Sequence, residues 1–70
     1  MMPLIFADLG KDYTIQRIGG NPSVKKHLED MGFVADGPVR VVNSVSGGLI
    51  VNVKETRVAI SREMAQKIMV

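Results

Sequence analysis

The chain has 70 residues, with nine Lys/Arg against seven Asp/Glu for a formal charge of +2, no cysteine or tryptophan, and 46% hydrophobic against 23% charged residues. That balance excludes a disordered polyelectrolyte and fits one small domain over residues 1–70, which at this size buries only about 60% of its unfolded surface. The missing cysteines exclude disulfides, thiolate metal sites and thiol nucleophiles together, and suit a reducing, cytoplasmic compartment.

The apolar start Leu4-Ile5-Phe6-Ala7 is interrupted by Asp8, Lys11 and Asp12, far short of the roughly 18 residues of a membrane span. No basic segment precedes a long apolar one, so a signal peptide is not expected either. Tyr13–Ile18 reads as a strand, since Tyr, Thr and Ile favour a pleated surface and Gly10 and Gly19-Gly20 bracket it. Ile15 and Ile18 differ in parity, so burying both requires a bend or a bulge. Asn21 then caps a helix with Pro22 at its first position, Val24, Leu28 and Met31 form one apolar stripe, and Gly32 ends it after about three turns.

The remainder is β-patterned. Val39–Ser44 and Leu49–Val53 are consecutive strands joined by Ser46-Gly47-Gly48, and Lys54-Glu55-Thr56 turns the chain into a third, Arg57–Ile60. Leu49, Val51 and Val53 share one face, as do Val58 and Ile60. Ser61 caps a short helical turn with Glu63 near its positive end, while Met64, Ala65 and Ile68 are positioned to close the core before Ile68–Val70 ends as a strand. The fold class expected is mainly β: a small bent sheet closed as a barrel, with one inserted short α-helix and a short C-terminal helical turn. Gly10, Gly20, Gly32, Gly37, Gly47 and Gly48 are the expected turn glycines.

Reactive chemistry is sparse. The single histidine, His27, and Asp30 share a helix face, but two ligands do not make a metal site and there is no second His or any Cys to complete one. No serine has a base beside it in any readable arrangement, and adjacent Glu29 and Asp30 point to different parts of the helix surface. Gly19-Gly20 ahead of the helix lacks the spacing of a phosphate loop, and Phe6, Tyr13 and Phe33 are too few to stack bases among the dispersed basic residues. No catalytic, metal or cofactor-binding residue is assigned, and neither an enzyme nor a nucleic-acid binder is expected.

The order of motifs carries more than any one of them. Leu9-Gly10 before a strand, Ile18-Gly19-Gly20, Leu28-x-x-Met31-Gly32-Phe33, Val41-Val42, the glycine hairpin, and Arg57-Val58-Ala59-Ile60 with Ala65-x-x-Ile68-x-Val70 together resemble the FeoA family of ferrous-iron-transport accessory proteins. The likeness covers Leu9 to Val70 and implies an SH3-like β-barrel with the helix inserted after the first strand. It implies a cytoplasmic protein, peripheral to the inner membrane through its partner, the GTPase and Fe(II) permease FeoB, whose activity or assembly it modulates by contact. The family's Pro-Gly after the helix is replaced by Ala35-Asp36, with Gly37 one position later, and Asp tolerates the left-handed region better than most residues. In this family the helix motif is leucine-like positions and a glycine, so KKHLEDMGF is read as a structural helix with a docking face, without a metal histidine.

Contact residues are sought among apolar side chains lacking an obvious core slot: Ile50, which opposes the Leu49/Val51/Val53 face, and Phe33, which follows the helix stop. Arg17, Arg40, Arg57 and Arg62 are candidates for an arginine supplied to the GTPase, with none preferred. Alternative readings are an SH3-like domain of an iron-dependent transcriptional regulator, which requires an accompanying helix-turn-helix, and a small-barrel nucleic-acid binder. Self-association and weak metal binding are left open.

Overall fold

In a computed structural model, which describes residues 1–70, the chain runs through a 3-10 turn (Leu4–Phe6), β1 (Asp12–Thr14), β2 (Arg17–Ile18), α1 (Pro22–Asp30), β3 (Pro38–Val45), β4 (Gly48–Val53), β5 (Thr56–Ser61), α2 (Arg62–Ala65) and β6 (Ile68–Met69). The expected first strand is broken in two. Thr14 still pairs with Pro38 of β3, whereas Arg17 and Ile18 pair with Met69 and Ile68 of β6. At the corner the Ile15 N–H donates to the Gly37 carbonyl at 2.8 Å, and the Gln16 N–H to that of Met69 at 2.7 Å. The bend solves the parity problem, because Ile15 and Ile18 are both buried.

Helix α1 begins as its sequence dictates. Asn21 sits in extended backbone and its Oδ1 accepts the Val24 N–H at 2.9 Å, while Pro22 occupies the first turn, where a missing N–H leaves no bond unmade. After nine residues Gly32 takes φ +108° and the Phe33 N–H returns to the Leu28 carbonyl at 3.0 Å, satisfying a last-turn acceptor. Of the expected stripe, Leu28 is buried, with Val24 and Met31 packed partly buried against the core.

Strands β1, β3, β4 and β5 form one antiparallel sheet in the order β1-β3-β4-β5, and β2 pairs with β6 in a second. Met2 and Val70 exchange two backbone bonds of 2.8 Å, and Pro3 bridges Met69, so the N-terminal residues border β6 on its other side. No continuous ladder joins the two sheets. The sheets are therefore not closed into a hydrogen-bonded barrel as expected but pack around one core, with Ile18 and Ile68 of the small sheet in the same buried cluster as Val41, Val51 and Ile60 of the large one. Alternation along β4 is as expected, with Leu49, Val51 and Val53 buried. A register shift between Val41 and Asn43 leaves Val42 as an extra residue, which bends β3.

Two turns differ from expectation. Gly48 is not in the hairpin turn but is the first residue of β4, opposite Val45; a Cβ there would run into the Ile60 carbonyl oxygen, so the close approach of β5 requires glycine. Thr56 is likewise not a turn residue but pairs with Val53, leaving a two-residue turn in which Lys54 (φ 49°) and Glu55 (φ 63°) are both left-handed. That is the geometry for which Asn-Gly is usual, because it follows the twist of the strands. Between α1 and β3, Asp36 (φ 68°), not Gly37, takes the left-handed position. Ser61 caps α2 as expected, its Oγ accepting the Met64 N–H at 3.2 Å.

A candidate docking surface

Phe33 is completely buried, one of the largest side chains of the core. Its expected role as a contact residue is therefore corrected: after the left-handed turn at Gly32 the ring lies in the buried core cluster. Ile50 is half-buried on the outward face of β4, with Asn43 and Ala59 as cross-strand neighbours. It remains available to a partner.

The same outward face carries a transverse row. Asp12, Arg40, Asn52 and Arg57 stand opposite one another on β1, β3, β4 and β5. Arg40 clamps Asp12 through one edge of its guanidinium, Nε donating to Oδ1 at 2.7 Å and Nη2 to Oδ2 at 2.9 Å. These hydrogen bonds hold the Asp12 carboxyl below its ordinary value of 3.8, partly countered by desolvation and helped by the guanidinium charge. The clamp also sorts the arginines: Arg40 is engaged, whereas Arg17, Arg57 and Arg62 form no ion pair and are exposed.

The helix surface holds no metal cluster. Asp30 turns to Lys26, Nζ to Oδ2 at 3.7 Å, and no three His, Asp or Glu side chains converge anywhere in the molecule. Two shallow grooves are present. One of about 190 Å³ lies beside the Asp12–Arg40 clamp and the Lys54-Glu55 turn, and one of about 230 Å³ lies between β2 and α1, with Ile18, Val34 and Ala35 flanked by Arg17, Lys25 and Glu29.

The apolar side chains that do face water were not the expected ones. Phe6, at the end of the 3-10 turn, is 70% exposed, and Leu9, on the segment from there to β1, is 54% exposed. Their backbone is held: Leu4 is buried, the Asp8 N–H donates to the Tyr13 hydroxyl at 3.0 Å, and the Gly10 N–H to the Val41 carbonyl at 2.8 Å. The sequence did contain a signal. Successive residues of a single 3-10 turn point in three directions, so Leu4-Ile5-Phe6 cannot all reach one core.

Fold and surface together define a small SH3-like domain with large apolar side chains exposed on an ordered backbone. A family model described as "FeoA domain" matches residues 2–70. A Methanocaldococcus jannaschii protein, provisionally named Fe(2+) transport protein A, is 31% identical over 70 residues, covering 100% of this chain and 85% of its own. The chain belongs to the FeoA family, whose members are accessory proteins of ferrous iron transport and are not known as enzymes. Among solved structures, an iron uptake regulatory protein (FeoA) superposes with a TM-score of 0.88 at 26% identity, over 97% of this chain and 90% of that one. The FeoA of Stenotrophomonas maltophilia, described as a procaryotic SH3 domain protein and determined with zinc, gives 0.83 at 24% identity, over 99% and 88%.

Proposed function

We propose that this protein works in the cytoplasm by docking on the cytoplasmic region of the FeoB ferrous iron transporter and modulating its activity or assembly, without chemistry of its own. The observation that carries the reading is family membership over 69 of the 70 residues, from Met2 to Val70. Large apolar side chains held exposed on an ordered backbone add support, since residues of that kind anchor protein interfaces. Ile50 and the free arginines Arg17, Arg57 and Arg62 are further points of contact in this reading. No helix is long and apolar enough to cross a membrane, and in this reading attachment is peripheral, through the partner.

The test is calorimetric titration of the purified chain into the soluble cytoplasmic region of FeoB, with GTP hydrolysis followed in parallel. Saturable binding with a changed hydrolysis rate identifies modulation of the GTPase, and binding at an unchanged rate identifies a role in assembly. No binding at low or physiological salt refutes the proposal. Fold alone does not separate this from the regulator reading, since a manganese-dependent transcriptional repressor shares it with a TM-score of 0.85 at 23% identity over 94% of this chain and 38% of that one; but α1 and α2 are separated by three strands, so residues 1–70 hold no helix-turn-helix.

A further inference from the structure

The distal half of β3 is paired on one side only. β1 covers Pro38, Val39 and Arg40, and the bond from the Gly10 N–H to the Val41 carbonyl is the last on that side. On the other side β4 follows β3 to its end, with Gly48 opposite Val45. Asn43, Ser44 and Val45 are exposed. A two-residue turn closes on a hydrogen-bonded pair, here Val45 with Gly48, and the ladder then alternates, so the Ser44 N–H and C=O point to the open side. The Ser44 N–H is indeed taken by a local substitute, donating to Asn43 Oδ1 at 2.9 Å.

Exposed edges are ordinarily guarded by Lys, Pro or a bulge. This one has the bulge at Val42, but no charged residue and no proline occurs from Val41 to Val53. The nearest charges on the flanking segment, Asp8 and Lys11, already neutralise each other at 3.2 Å. Leu9 is brought beside the edge by the Gly10 bond, with Phe6 three residues upstream on the same segment.

We infer that this edge, from Val42 to Val45, takes an extended, uncharged, apolar-bearing segment of the transporter's cytoplasmic region as an added strand, with Leu9 packing against it. The identity of the partner rests on the proposed function; the mode of docking rests on the edge. A neutral edge is matched by a neutral strand. The exposed parts of Phe6, Leu9 and Val45 amount to roughly 300 Å² of apolar surface, well short of the about 800 Å² per partner of a stable globular interface. By burial of these side chains alone that area is too small to hold a second copy, but it suits strand addition, in which main-chain hydrogen bonds supply affinity and alternate side chains supply selectivity.

The experiment compares binding of the full chain and three variants to the transporter's soluble cytoplasmic region. Ser44→Pro removes a donor that β4 does not use, Leu9→Ser removes the flanking contact, and Thr14→Ala on β1 is the control, with circular dichroism checking each fold. Ser44→Pro should weaken binding at least about tenfold, and Leu9→Ser several-fold. Thr14→Ala should bind as the wild type does, and exchange of the Ser44 amide should slow on binding. Equal binding by all variants overturns the edge and leaves the proposed function standing, whereas no binding by the wild type overturns both. Dimerisation at high concentration that Ser44→Pro abolishes gives the edge to a second copy and also overturns the inference.

Discussion

The chain's two phenylalanines sit in similar sequence settings and meet opposite fates. Phe33 follows Gly32 and is fully enclosed; Phe6 ends a 3-10 turn and is 70% exposed. Each has apolar neighbours, Met31 and Val34 in one case, Leu4 and Ile5 in the other. What separates them is the backbone. A left-handed residue at Gly32 turns the chain back across α1, while the turn at Leu4–Phe6 commits Leu4 to the core and leaves Phe6 on its far side. Apolar character therefore places a residue near the core, and local backbone geometry decides whether it enters.

Substitutions test that contrast in descending order of effect. Phe33→Ala should lower unfolding stability by about 3–5 kcal/mol, measured by urea denaturation, because it empties a fully packed site. Leu4→Ala should cost about 2–5 kcal/mol. A loss below 1 kcal/mol there would show the N-terminal segment to be loosely attached, and Phe6's exposure would then be incidental. Replacing Lys54-Glu55 by Asn-Gly should stabilise the protein by about 1 kcal/mol or more, by relieving two left-handed residues that carry a Cβ. Phe6→Ser should change stability by less than about 0.5 kcal/mol; a cost near that of Phe33→Ala would erase the distinction.

The smallest effect concerns the Asp12–Arg40 clamp. Asp12 is held below its ordinary 3.8, so the stability it contributes is complete above that value and is lost as pH falls below it, through the lowered folded-state value. Asp12→Asn should lower the urea midpoint slightly at neutral pH and leave it unchanged well below pH 4, so that the acid limb of a plot of midpoint against pH flattens by that small loss; the loss is small because the pair is solvent-exposed.

Much of the architecture was legible because it is written locally. Asn21-Pro22, the Val24/Leu28/Met31 spacing, the alternation in Leu49–Val53 and the Ser61 cap each specify their element within a few residues, and each formed. The split at Ile15-Gln16 could be foreseen as a parity conflict, but its direction depends on β6, some 50 residues away. The turn at Lys54-Glu55 was expected but one residue too long, and its left-handed geometry was hidden because neither residue favours it; the pairing of β4 with β5 imposes it. At the surface, Phe33 was misjudged for want of the Gly32 reversal. The open edge at Ser44 was out of reach because it depends on where β1 stops relative to β3, a matter of register between strands whose paired residues are 24 to 28 positions apart.

The reciprocal bonds between Met2 and Val70 bring the two ends of the domain side by side next to β6. A domain whose two ends leave at one point can be grafted into a loop of a host protein without stretching either. It should also survive having those ends linked and the backbone opened instead at the Ser46-Gly47 tip, where both residues are exposed.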